Sequence, residues 1–212
     1  NILWNEDGRL TKIFDVENNR DVLDSNGLGN SFEIFEDRPL NYEAWDVDIF
    51  YTDKKELPKL VQPPTVLENG NLKAKILFKF RYNLSEIDCI MVLYKDSRRI
   101  DFETKVNWNE SQRFLKVAFD TSVRSTKATY DIQYGFVERP THYNTSWDYA
   151  KFEVVGHKWA DISEGNYGVS LLNNCKYGYN TKDKSIKLSL LKSAKSPDFE
   201  ADMGEHNFIY SL

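Results

Sequence analysis

Apolar and polar residues alternate with a period of two along most of this chain, and that pattern sets its fold class. Successive side chains of a β-strand point to opposite faces, so alternation puts one face on a core and the other in water. Over residues 99–108, Ile100, Phe102, Thr104, Val106 and Trp108 alternate with Asp101, Glu103, Lys105 and Asn107. Over residues 73–82, Ile76, Phe78, Phe80 and Tyr82 share one face, while Lys75, Lys79 and Arg81 mark the other. The alternation recurs at Leu115, Val117 and Phe119, and at Ala128, Tyr130, Ile132, Tyr134 and Phe136. It returns at Ile186, Leu188 and Leu190, then at Phe208, Tyr210 and Leu212. Glu6-Asp7-Gly8 separates Leu3-Trp4 from residues 10–14 as a hairpin turn would, and Glu68-Asn69-Gly70 marks a second reversal. No stretch of roughly eleven residues holds a 3.6-residue apolar period, so no long helix is expected. No internal repeat of roughly 20–50 residues points to a propeller or solenoid. The chain is predicted to be all-β and antiparallel.

Composition bounds the function classes. A chain of 212 residues fits a single β-sandwich domain over 1–212, and 41% hydrophobic residues supply its core. The 28 basic and 33 acidic residues are mixed along the chain, for a net charge of −5. That balance lacks the clustered basic face of a nucleic-acid binder. No apolar run approaches the roughly 18–20 residues of a membrane span. The opening Asn1-Ile2-Leu3-Trp4 reads as structured core and not as a native start, so a piece excised from a larger protein is expected. Cys89 lies in an apolar run and Cys175 stands apart, without the spacing of a redox or zinc pair. Both are read as free thiols of a cytoplasmic protein.

Three segments break the alternation and carry the candidate chemistry: residues 35–51, 139–148 and 193–206. Loops on a rigid β scaffold are where binding groups concentrate. In the first, Trp45 beside Asp46 and Asp48, at what reads as a strand entrance, offers an aromatic face for sugar C–H bonds and carboxylates for sugar hydroxyls. A Trp plugging the core with two solvated acids is the competing reading. In the second, Arg139 has the fork to clamp a carboxylate, with His142 and Asn144 nearby. The same residues equally serve to tie a long loop to its own backbone. In the third, Asp202-Met203-Gly204-Glu205-His206, Gly204 is free to adopt positive φ and Glu205 and His206 are acid–base residue types. An incidental Glu-His pair before a strand is the competing reading. His142, His157 and His206 lack the short spacings of a zinc site, and no G-x-S-x-G marks a nucleophile elbow. No residue of the chain is assigned a catalytic role, and none a metal.

These segments also carry a resemblance. The stretches EDRPLNYEAWDVDIFY, QYGFVERPTHYNTSWDYAKFEVVGHKWADISE, YGVSLLNNCKYGY and KLSLLKSAKSPDFEADMGEHNFIYSL resemble the C-terminal region of glycoside hydrolase family 38 α-mannosidases. The likeness is to the cytosolic and vacuolar branch more than to the Golgi and lysosomal ones. It implies a galactose-mutarotase-like antiparallel super-sandwich. It further implies a parent that is a retaining, zinc-dependent exo-α-mannosidase acting on mannose-containing oligosaccharides. Nucleophile and zinc would lie in an N-terminal α/β barrel absent from this chain, leaving the chain inactive alone. Trp45, Asp46, Asp48, Asp202, Gly204 and His206 would then face the sugar. Arg139, His142 and Asn144 are second choices at an interdomain contact. A surface otherwise covered by the barrel would leave apolar groups exposed around Trp45, Trp147 and Met203. A free-standing mannose-binding module, a mutarotase-like epimerase using His206, and homo-oligomerisation stay open at this point.

Overall fold

A computed structural model describes all residues, Asn1–Leu212. Strands dominate it, and they pair antiparallel, as expected from the alternation. The only helices are a 3-10 turn at Ile49–Asp53 and one α-turn at Ser146–Tyr149. The chain divides into two compact units. The first comprises Asn1–Asn5, Arg9–Phe32 and Lys116–Leu190; the second comprises Glu6–Gly8, Glu33–Leu115 and Leu191–Leu212.

In the second unit, Lys73–Tyr82, Ser85–Tyr94, Ile100–Trp108 and Gly204–Ser211 lie side by side. Their register builds rows on one face: Phe78 opposite Cys89, Cys89 opposite Thr104, Thr104 opposite Phe208. The next row runs Ile76, Met91, Phe102, Tyr210, and the Phe102 and Tyr210 rings stack at 5.2 Å. Period-2 alternation and antiparallel register together force these rows, because a slip of one residue would turn every ring to water. On the opposite face, Lys75 meets Glu103 at 2.8 Å and Lys79 meets Asp88 at 3.1 Å. The turn expected at Glu68-Asn69-Gly70 is found, closing Thr65–Asn69 onto Lys73–Tyr82, and so is the one beyond Trp4, which closes Ile2–Trp4 onto Leu10–Asp15 of the first unit.

In the first unit, Lys127–Ile132, Gly135–Pro140, Trp159–Glu164 and Tyr167–Asn173 form one antiparallel set. Val154–Val155, Gly178–Lys182 and the strand Ser185–Lys192 as far as Leu190 belong to another. Two readings of the alternation need correction. Residues 128–136 are not one strand: the chain reverses at Gln133-Tyr134, where Tyr134 takes φ +61°. Tyr134 and Phe136 are therefore exposed, not core. Around Leu115, Val117 and Phe119 the intervening Phe114, Lys116 and Ala118 are buried as well, so Arg113–Asp120 is covered on both faces. An interior strand keeps its place by packing on both sides, which alternation alone does not reveal.

Candidate functional site

Two of the three irregular segments converge within the second unit. The first leaves the strand Ser31–Glu36 at Asp37 and returns through the 3-10 turn Ile49–Asp53. Tyr51 of that turn is buried between Phe35, 5.0 Å away edge-on, and Phe114, at 5.4 Å. These aromatic contacts seat the loop's base. Trp45 and Asp46 lie at its tip, both N–H groups donating to the Tyr42 carbonyl, at 2.8 and 2.9 Å. Trp45 is 71% exposed, so it does not plug the core. Nor is it at a strand entrance: it sits on a turn. Asp48 Oδ2 accepts from the Leu40 N–H at 2.7 Å, closing the loop on itself.

The second segment joins Ser185–Lys192 to Gly204–Ser211. Asp202 takes φ +59° and Gly204 φ +115°, a value that only glycine adopts without strain. Asp202 Oδ2 accepts from the Lys192 N–H at 3.0 Å, and the Asp202 carbonyl lies 2.8 Å from His206 Nε2. Antiparallel pairing sets His206 opposite Val106 and Gly204 opposite Trp108, so His206 ends a core-facing row and is half-buried.

What holds the two segments together is a set of residues the sequence reading did not single out. Lys192 Nζ meets Asp37 Oδ2 at 2.6 Å and also donates to the Glu43 carbonyl. The Glu43 carboxylate accepts from Gln112 Nε2 and from the Lys195 N–H, both at 2.8 Å. Asp37 is buried; desolvation pushes its pKa up, and Lys192 pulls it back. The Lys195 N–H and then the Gln112 amide hold Glu43 below its ordinary value. Asp37 follows the strand Ser31–Glu36, which already carries Glu33 and Glu36, so one more acid there gave no sequence signal. Glu43 and Lys192, two acids and bases among many, carried none.

Leu40, Tyr42, Trp45 and Phe50 of the first segment and Phe199 and Met203 of the second are exposed, interspersed with exposed polar residues such as Asp46, Lys195 and Glu200.

The third segment belongs to the first unit. Arg139 and Pro140 still lie in the strand Gly135–Pro140. Arg139 clamps no carboxylate: Nη1 donates to the Val155 carbonyl at 2.8 Å and the guanidinium lies 4.8 Å from the Tyr130 ring centre. A strand residue facing a neighbouring strand end finds a backbone acceptor first. His142 Nδ1 is 3.5 Å from Asp148 Oδ2, and Asn144 is exposed. Thr145 and Asp148 form a reciprocal capping box on the turn Ser146–Tyr149, which presents Trp147 at 81% exposure. The loop-tying reading of this segment is the one the geometry supports.

No group of three or more His, Cys, Asp or Glu side chains converges as a metal site requires. Both cysteines are free thiols, Cys89 buried and Cys175 exposed.

Comparison with known proteins gives the family. The profile of the glycosyl hydrolases family 38 C-terminal domain matches residues 1–200, and the chain belongs to that family. It is 45% identical to alpha-mannosidase G of Dictyostelium discoideum over 217 residues, covering 100% of this chain and 20% of that protein. It is 42% identical to human alpha-mannosidase 2C1, covering 97% of this chain and 20% of that protein. The Saccharomyces cerevisiae alpha-mannosidase is 38% identical, with 100% of this chain and 21% of that protein covered. The chain thus spans about a fifth of the length of these relatives. Among solved structures, an alpha-mannosidase from Enterococcus faecalis V583 shares the fold, with a TM-score of 0.79 at 18% identity over 99% of this chain and 28% of that one.

Proposed function

We propose that this chain is the C-terminal β domain of a larger, retaining, zinc-dependent exo-α-mannosidase that removes terminal α-D-mannose from oligosaccharides in the cytoplasm. In this reading the chain supplies one wall of the sugar pocket and contacts the parent's N-terminal barrel, and it is inactive alone. One observation carries the reading: the Trp45 turn and the Asp202 turn, far apart in sequence, are fastened to a single network in one unit. An exposed indole offers a sugar's C–H surface an apolar partner, and the neighbouring acids accept from hydroxyls. Retention calls for two carboxyl groups about 5–5.5 Å apart flanking the scissile bond, and this reading assigns both to the barrel. Zinc is likewise assigned there. The three histidines of this chain do not suit it: His142 faces Asp148, His157 stands edge-on to Tyr177 and His206 faces the Asp202 carbonyl, with no group of three possible ligands about any of them.

The test uses the full-length protein and the isolated chain side by side, with an aryl-α-mannoside as substrate. Trp45→Ala in the full-length protein is expected to raise KM by about tenfold, the scale of one lost sugar-stacking contact. The isolated chain is expected to show no turnover. Turnover by the chain alone would sink the proposal. Millimolar mannose binding without turnover would favour a free-standing binding module, and anomer interconversion lost in His206→Ala would favour an epimerase. A fluorescent fusion of the full-length protein found in a secretory compartment would refute the cytoplasmic assignment.

A further inference from the structure

We propose that Lys192 is a positioning residue that clamps the two sugar-facing loops of the second unit into one rigid wall; the proposal rests on the pocket-wall reading above. Lys192 ends the strand Ser185–Lys192 and its side chain is 18% exposed. An ammonium carries a full charge, three donors and no acceptor, and here it makes one ion pair and one hydrogen bond, to two points of the same loop. The ion pair is with Asp37 Oδ2 at 2.6 Å, at the base of the Trp45 loop. The hydrogen bond goes to the Glu43 carbonyl, two residues before Trp45 itself. The same residue's backbone N–H holds Asp202 Oδ2 at 3.0 Å, two residues before Gly204. One residue therefore fixes the first loop at base and tip and the second loop at its turn.

Most surface ion pairs do little, because both charges keep their water. This one differs in that Asp37 is 3% exposed, so its carboxylate has lost its water and depends on the ammonium. Glu43 completes the clamp from the outside, its two oxygens taking the Gln112 amide and the Lys195 N–H, one from each side of the junction. Removing the ammonium releases the Trp45 loop from the strand end while leaving the stacked rows of Phe102 and Tyr210 in place. A wall displaced by about an ångström weakens sugar binding steeply, since aligned contacts lose their energy over such distances.

The experiment compares Lys192→Met, Lys192→Arg and the double variant Lys192→Met with Asp37→Asn in the full-length protein, by amide exchange and by aryl-α-mannoside kinetics. In Lys192→Met, exchange over residues 38–48 and 195–203 is expected to rise while the strands Ser85–Tyr94 and Ile100–Trp108 stay protected. KM is expected to rise about tenfold with kcat within about twofold, the pattern of lost uniform binding. Lys192→Arg, which keeps the charge, is expected to restore both readouts part of the way. Unchanged exchange in both loops, or a rise spread equally through the core strands, would overturn the proposal. Should Lys192→Met fail to fold, the double variant Lys192→Met with Asp37→Asn decides: it removes the ammonium without stranding a buried charge, and its silence in both readouts would overturn the clamp equally. Trp45→Ala separates the two ideas. If it leaves KM unchanged while Lys192→Met loosens the loops, the pocket wall falls and the clamp stands. If Trp45→Ala raises KM and Lys192→Met moves neither readout, the clamp alone falls.

Discussion

Trp108 shows how much of this fold's economy lies in single side chains. Its ring is completely buried at the end of the strand Ile100–Trp108, and its indole N–H donates to Ser193 Oγ at 3.1 Å. Ser193 Oγ in turn donates to the Arg113 carbonyl at 3.1 Å. Ser193→Ala strands a buried donor, so a loss of about 1–3 kcal/mol is expected from urea denaturation of the isolated chain. A midpoint shift within error would show that the indole finds another acceptor. Gly8 makes the opposite case, where the absence of a side chain matters. It takes φ +75°, and a Cβ there would lie 2.8 Å from Leu60 Cδ1. Gly8→Ala is expected to cost about 1–2 kcal/mol from the left-handed backbone alone, read in the same titration. Trp45→Ala, by contrast, removes an exposed side chain and should leave stability within about 0.5 kcal/mol. That silence, set against the expected change in KM, is what marks Trp45 as a binding residue.

Between elements, buried charge does the tying that apolar alternation cannot specify. Lys116 lies in a strand covered on both faces and is wholly buried, with its ammonium on Glu153 Oε1. Glu153 sits just before Val154–Val155, so the pair pins the end of the Trp147-bearing segment to the strand Arg113–Asp120. Glu153→Ala removes one partner of a desolvated pair, and a loss of about 3–5 kcal/mol is expected. Replacing both, Lys116→Met with Glu153→Leu, should recover most of it. A double variant as unstable as the single one would show that shape and not charge governs the site. Arg20 makes a second tie of this kind in the same unit, 2.6 Å from Glu164 Oε1 and 4.4 Å above the Tyr167 ring. The serine, lysine and arginine in these ties look ordinary in sequence, because nothing local distinguishes a charge that will be buried from one that will not.

For the molecule as a whole, carboxylates set the acid limit. Asp24 is held below its ordinary 3.8 first by Lys184, and Glu36 below 4.5 first by Lys54. The Arg124 N–H lowers Glu164, Lys105 lowers Glu205, and the Lys195 N–H lowers Glu43. For each, the folded state binds its proton less readily than the unfolded chain does. The stabilisation is therefore complete above the ordinary values and is lost as pH falls through the depressed ones. Asp37 has the opposite sign: its raised pKa favours folding increasingly as pH falls towards 3.8. With five lowered against one raised, the melting temperature should hold down to about pH 5 and fall below it. The pairs are solvent-facing, so high salt should flatten that fall; a melting temperature that rises on acidification would show Asp37 to dominate. The all-β antiparallel class, the hairpin beyond Trp4 and the inward faces that carry Phe102 and Tyr210 were legible in the sequence, because a period of two is imposed by the backbone of a strand wherever it folds; that the two rings stack was decided by strand pairing. The family was legible too, from the long segments around Trp45 and Asp202. The reversal at Tyr134, the double burial of residues 114–119 and the turning of Arg139 onto a carbonyl were not, since each depends on which strand comes to lie alongside. The meeting of Asp37, Glu43 and Lys192 belongs with them: their contacts span up to 155 residues of chain, and only the folded register brings such distant charges within reach of one another.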